Sequence, residues 1–253
     1  MTVRNGLPFI KDAISSVLGQ EGVCLELIVV DDGSSDGTSD FLKSLSGLAN
    51  VTVILREAIG RPMALNLAVS KTQFDYVCNL DADDILHPRH AASCLSKLLE
   101  NDSDVVCSVP DIFSSGLPAL APVEAPSTFV NVSKTLVFQN PVCHSGAIIK
   151  KAAFFRVGGY DQTRVTQLDY DLWFRIVASG GAIARANEPL VGKRIHKGQS
   201  FENKKRIAYV KNSLLLQWRI IQHQGGGVAA YAVLFARAVY SLVPQRLRAW
   251  LRK

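Results

Sequence analysis

The sequence predicts an α/β fold in which a mostly parallel sheet is covered by helices on both faces. Three observations predict it. Short apolar runs alternate with stretches of helical periodicity as far as Val109, the pattern of strands joined by crossover helices. The runs are continuously apolar, as strands buried on both faces require. Finally, pairs and triplets of aspartate stand at the carboxyl ends of two runs, where sheets of this kind bind ligands.

The elements follow in order. Pro8 opens a helical pattern in which Phe9 and Ile10, Ala13 and Ile14, and Val17 and Leu18 recur one turn apart. Residues 25–30 (LELIVV) read as a buried strand that stops at Asp31, Asp32 and Gly33. A helix over 39–48, capped by Thr38 or Ser39, leads to a strand over 51–55. The helix over 61–70 carries Pro62 in its first turn, and the strand over 74–80 ends at Asp81. A helix over 88–100 and a strand over 104–109 complete the alternation. Residues 113–127, rich in Pro, Ser and Ala, read as an irregular connection. Beyond it the pattern predicts a strand over 144–149, a helix near 151–157 and a turn at Gly158 and Gly159. Two more helices follow, over 170–179 and roughly 202–223, before three glycines at 225–227 and an apolar stretch over 228–243.

Composition narrows the function. An apolar fraction of 48% and a charged fraction of 20% are those of a globular protein, not a disordered one. The five cysteines are scattered, odd in number and without a C-x-x-C pair, which argues against a disulfide or zinc framework and favours a reducing compartment. The opening MTVRNGLPFI lacks the apolar region of a secretory signal. The net charge of +6 conceals an asymmetry: residues 1–184 balance to −6 and residues 185–253 to +12. A basic C-terminal third on an acidic body implies an anionic partner. Its basic residues lack the aromatic platforms and recognition motifs of nucleic-acid binders, so nucleic acid is not expected.

Four clusters carry the chemistry. DDGSSDGTSD at 31–40 fails as an EF-hand loop, because Lys43 falls where the bidentate Glu must stand. Ser34–Ser39 reads equally well as a turn leading into the next helix, but adjacent Asp31 and Asp32 repel and need a reason to sit together. LDADD at 80–84 contains a D-x-D whose Asp81 and Asp83 can converge on a hard cation if the backbone turns there. The other reading is a solvated helix start. In QLDYDLWFRI at 167–176, Asp169 suits either a catalytic carboxylate or a helix cap. KRIHKGQS at 193–200 places basic residues around His196.

Taken in order, these blocks resemble the family 2 glycosyltransferases of GT-A fold, which have a Rossmann-like sheet. The resemblance covers roughly residues 2–200 and rests on VDDGSSDGT at 30–38, GRPMALNLA at 60–68, LDADD, LDYDLW at 168–173 and RIHKGQS at 194–200. It implies inverting transfer of a hexosyl group from a nucleotide-sugar donor, with a UDP-sugar favoured, to a saccharide or lipid-linked saccharide acceptor in cell-surface polysaccharide or glycolipid synthesis. Asp31 and Asp32 would hold the nucleoside of the donor, and Arg61 and Asn66 would lie beside it. Asp81 and Asp83 would set Mg²⁺ or Mn²⁺ against the diphosphate, with His196 meeting metal or diphosphate and Asp84 supporting the sugar. Asp169 would be the catalytic base. The family's Glu before that base is Leu168 here. A non-catalytic sugar-nucleotide binder of the same fold is the alternative, against which Asp169 speaks.

The resemblance also implies an apolar first strand ending at a turn. Here Val3–Gly6 matches that turn, and the strand itself is expected to be missing, with Met1 an internal methionine of a longer product or a start assigned too late. The expected organisation is a catalytic domain over 1–200 and a helical, basic extension over 201–253. Residues 228–243 are too short to span a bilayer, and PQRLRAWLRK follows them. That combination predicts a cytoplasmic protein lying peripherally on the cytoplasmic face of a membrane.

Overall fold

The structure, a computed structural model, describes residues 1–116, 128–196 and 206–243. The strands β1 (Thr2–Val3), β2 (Leu27–Asp32) and β3 (Val51–Arg56) form a parallel sheet in that order. β2 is buried along its whole length, which explains a run that stays apolar until its last two residues. Val30 lies opposite Thr2 and Ile54, and Asp31 opposite Val3 and Leu55. The first strand, expected to be missing, is present as two residues. Met1 lengthens its ladder by donating from its amino group to the Ile28 carbonyl at 2.9 Å and accepting from Val30 N at 3.1 Å. Beside Met1, Leu27, Ile28, Tyr76 and Ile148 help line an apolar cavity of about 190 Å³.

The second sheet contains β4 (Tyr76–Cys78), β5 (Ile85–Leu86), β6 (Val105–Phe113), β7 (Phe129–Asn131), β8 (Ile148–Lys150) and β9 (Ile183–Arg194). Its order is β4-β8-β6-β9-β5, with β7 also on β9. The long β6 and β9 run parallel, whereas the short β4, β5, β7 and β8 pair antiparallel. A parallel bridge between Thr2 and Asp81 joins the two sheets. β5 and β7 escape the sequence reading because two or three residues carry no periodicity.

The helices are α1 (Ile10–Leu18), α2 (Thr38–Lys43), α3 (Arg61–Ser70), α4 (His90–Glu100), α5 (Lys151–Arg156), α6 (Leu168–Ala178), α7 (Arg206–Gln224) and α8 (Gly227–Leu242). α2 stops five residues before the predicted end, since Ser44, Ser46 and Gly47 favour turns. The main core gathers Tyr170, Leu172, Trp173 and Ile176 of α6 against Val105, Ile149 and Ile183 of the sheet. α7 adds Leu216, Ile220 and Ile221 to this core and α8 adds Ala230, so the C-terminal helices are bound to it by burial.

Gly146 shows how closely the turn before β8 approaches β9. Its φ is +82°, its N–H donates to the Asn79 carbonyl at 2.6 Å, and a Cβ would lie 2.2 Å from Val191 Cγ2. Gly146→Ala is therefore expected to cost about 1–3 kcal/mol through strain and overpacking. Thermal unfolding should show a fall of about 2–4 °C for each kcal/mol lost; an unchanged melting temperature would contradict this packing.

Candidate active site

β2 delivers Asp31 and Asp32 side by side because it ends at the top of the parallel sheet, but the two carboxylates point to different tasks. Asp31 is 1% exposed. One of its oxygens accepts from Ser34 N at 3.0 Å and Ser34 Oγ at 2.6 Å, and the other accepts from Ser39 Oγ. Asp32 accepts from the backbone N–H groups of Ile59 and Gly60, at 2.6 and 3.2 Å, and so fixes the start of α3. Ser34, Asp36 and Thr38 accept from the N–H groups of Asn5, Leu7 and Gly6. The acidic loop thus ties down the turn that follows β1, and the repulsion between its aspartates is offset by separate sets of donors.

The 81–84 segment turns, with Asp84 N donating to the Asp81 carbonyl at 3.2 Å. The turn sends its three carboxylates to different partners. Asp81 accepts from Arg61 Nη2 at 2.7 Å and lies 3.4 Å from His144 Nδ1. Burial raises its pKa, but Arg61 and then His144 outweigh burial and hold it well below the usual carboxylate range. Asp83 Oδ2 sits 3.1 Å from His196 Nε2, and the His196 ring packs on Phe9 at 4.6 Å between centroids. Asp84 is buried and accepts from Arg194 N at 2.8 Å. Burial, then the charges of Asp81 and Asp83, push its carboxyl up to about 7.

Asn66, expected beside a donor, is engaged elsewhere. Its amide donates to the Tyr160 carbonyl and accepts from Tyr160 N, both at 2.8 Å. This clamp sets Tyr160, whose hydroxyl lies 2.8 Å from His144 Nε2. Burial, followed by the charge of Asp169, raises the Tyr160 pKa above its ordinary value. Asn66 therefore acts on the cleft through Tyr160 and His144.

Asp169 lies in the first turn of α6, two residues beyond the cap position held by Gln167. Its Oδ2 accepts from Asn140 Nδ2 at 2.7 Å. Leu168, where the resembling family has Glu, packs against the main core. Asp171 is buried in ion pairs with Arg164 and Arg175, at 2.9 and 2.7 Å, and serves the fold. Arg61, Asp81, His144 and Asp169 line one cleft of about 870 Å³, which Tyr209 and Arg237 also border.

Sequence reasoning missed His144 and Asn140 as site residues. His144 was visible only as the neighbour of Cys143, whose thiol burial pushes up to about 12, too high for a nucleophile. Asn140 carries no motif and is identified by its contact alone.

A divalent cation is consistent with these donors. Mg²⁺ and Mn²⁺ favour carboxylate oxygen, take one or two protein ligands and complete their shell with phosphate and water. Asp83 and His196 supply such a pair, with Asp81 two residues away. Among the described residues no group of three or more His, Cys, Asp or Glu side chains is placed to hold a metal by itself. Residues 197–200 of the predicted RIHKGQS block lie outside the described residues.

Comparison with known proteins bears on the family and the fold. The family model "Glycosyl transferase family 2" matches residues 1–161. An uncharacterized glycosyltransferase of Rickettsia prowazekii is 30% identical over 208 residues, 78% of this chain and 63% of the relative. A longer relative from Rickettsia conorii is only 37% covered, so the chain spans under two thirds of these relatives. The O-antigen biosynthesis glycosyltransferase WbnJ of Escherichia coli is 27% identical over 83% of this chain and 82% of its own. Among solved structures, S. aureus TarS in complex with UDP-GlcNAc superposes with a TM-score of 0.70 at 16% identity, covering 92% of this chain and 68% of that one. The mannosyltransferase PcManGT of Pyrobaculum calidifontis, in complex with GDP-Man and Mn²⁺, gives a TM-score of 0.64 at 17% identity, covering 98% and 81%. With a family model spanning more than half of its length and a fold shared with these transferases, the chain belongs to glycosyl transferase family 2 and has the GT-A fold.

Proposed function

We propose that this chain transfers a hexosyl group from a nucleoside diphosphate sugar, with a UDP-sugar favoured, to an acceptor hydroxyl, with inversion at the anomeric carbon. The observation that carries this reading is Asp169, which shares a cleft with Arg61 and Asp81 and whose sole hydrogen-bond partner among the described residues is Asn140. Its second carboxylate oxygen is left to accept a proton. Relatives and neighbours named for O-antigen synthesis, UDP-GlcNAc and GDP-Man support a sugar-nucleotide donor and a role in cell-surface polysaccharide or glycolipid assembly. The catalytic unit is taken as residues 1–200, with 201–253 as an extension.

Asp169 takes the proton from the acceptor hydroxyl as that oxygen attacks the anomeric carbon on the face opposite the diphosphate. One carbon–oxygen bond forms, the bond to phosphate breaks, and the nucleoside diphosphate leaves. General-base catalysis of this kind contributes about 10²–10⁴ in rate. Arg61 and the positive end of α3, which both border the cleft, oppose the charge gathering on the leaving group. A divalent ion held by Asp83 and His196, with Asp81 nearby, would supply Lewis-acid stabilisation of the diphosphate when bound.

Two predictions test the assignment. In a nucleotide-release assay with UDP-, GDP- and dTDP-sugars, Mn²⁺ or Mg²⁺ and acceptor extracts, Asp169→Asn should reduce kcat by about 10²–10⁴ while leaving donor binding unchanged. Binding of a donor by wild type without turnover of any would instead support the non-catalytic binder. Arg61→Ala and Asp81→Asn should each lower kcat/KM by about tenfold to a hundredfold, as loss of a charge-assisted hydrogen bond implies. Because the two side chains touch, the double variant should lose less than the product of the two factors; full additivity would mean that the pair does not act as a unit.

A further inference from the structure

The two sides of α8 differ in character. Ala230 and Leu234 turn toward the main core, and Arg237 reaches Gln217 Oε1 on α7 at 2.6 Å. On the outer side Val228, Tyr231, Phe235 and Val239 recur at helical spacing, with Val228 86% and Phe235 70% exposed. Trp218 of α7, half exposed, packs edge-on against Tyr231 with ring centroids 5.5 Å apart, and Gln222 Nε2 donates to the Tyr231 hydroxyl at 2.8 Å. An ordered apolar stripe with an aromatic pair held beside it is uncommon on a surface that meets only water.

The sequence segment that carries this stripe has charge of one sign. From Asn203 to Lys253 the sequence carries ten Lys and Arg and no Asp or Glu. An apolar stripe in a purely cationic segment complements the surface of an anionic lipid layer, where acyl chains and headgroup charge meet. The 16 residues of α8 extend about 24 Å at 1.5 Å per residue, short of the roughly 30 Å hydrocarbon core. No helix among the described residues is long and apolar enough to cross a membrane. Such a helix can lie on a bilayer but not through it.

The same helical hairpin reaches the active-site cleft. Tyr209 of α7 and Arg237 of α8 border it together with Asp169 and Lys193. A contact made by the outer face of α8 therefore fixes which environment the cleft opens beside.

We propose that the outer face of α8 rests on an anionic lipid surface and so seats the cleft beside an acceptor carried in that surface, an amphiphile whose anionic head group meets Arg237 and Lys193. The acceptor class rests on the sugar-transfer reading above; the lipid contact does not.

The test is sedimentation of the full chain with phosphatidylcholine vesicles, with and without phosphatidylglycerol, at low and high salt. The expected result is binding on the order of tenfold or more tighter to the anionic vesicles, weakened by salt. The variant Phe235→Glu with Val239→Glu should lose that binding while keeping the wild-type melting temperature and the wild-type rate of donor hydrolysis without acceptor. Equal binding to both vesicle types, binding to neither, or binding untouched by the variant would overturn the proposal. So would a solution dimer, seen by light scattering, that the variant dissociates, because a second copy would then cover the face. A lowered melting temperature in the variant would overturn it too, by showing that the chain covers this face itself. A chain that binds anionic vesicles but releases no nucleotide would sink the transfer reading and leave the lipid contact standing.

Discussion

The centre of this molecule depends on keeping the half-buried Asp81 carboxylate ionised in the cleft wall. Burial opposes that charge, and the Arg61 guanidinium at 2.7 Å with the His144 ring at 3.4 Å overcomes the opposition. Each of those partners is in turn held from elsewhere. Arg61 opens α3, whose preceding N–H groups are gathered by Asp32 at the end of β2. His144 meets Tyr160, which Asn66 grips by its backbone. Asp81 itself bridges to Thr2, at the junction of the two sheets. One charge thus links strand ends and a helix start, and any rearrangement of these would deprive a half-buried carboxylate of its charge-assisted partners.

This arrangement sorts aspartates that look alike in sequence. Asp31, Asp32 and Asp171 have their oxygens occupied by serine hydroxyls, backbone N–H groups or arginines, and they organise the chain around them. Asp83 and Asp169 instead meet neutral or titratable side chains, His196 and Asn140, that come from distant parts of the chain. The division between shaping and reacting groups follows from who already donates to each carboxylate, and it is consistent with assigning chemistry to the second group.

Much of this was legible in the sequence. The continuous apolar run of β2 announced a buried strand, and Asp31 and Asp32 fall at its carboxyl end as the sequence predicts. Asp81 and Asp83 could be singled out by their place at a strand end and Asp169 by the ordered blocks that resemble the family, although a helix start could also account for each. Other features left no local trace. β7 is three residues that acquire strand geometry only from β9, and Asn66 looked like a ligand contact until its amide was seen to be filled by Tyr160. Asn140 and His144 lie 29 and 63 residues from their carboxylate partners, Asp169 and Asp81, so no spacing rule could pair them.

The family match ends at residue 161, and that boundary has a physical counterpart. Within it lie β2, the start of α3 and the 81–84 turn, the groups proposed to meet the sugar nucleotide. Beyond it lie Asp169, Lys193, His196 and the α7–α8 hairpin; of these, Asp169, Lys193 and the hairpin also border the cleft. The groups proposed to meet the donor sit at strand ends and a helix start, whose geometry the ladders of the two sheets set. An acceptor of variable chemistry needs walls that can change without disturbing those ladders, and helices packed on the outside of the core supply them. On this argument the identity of the acceptor is written in the last third of the chain, where Arg237 faces the cleft from a helix whose other face is apolar and exposed.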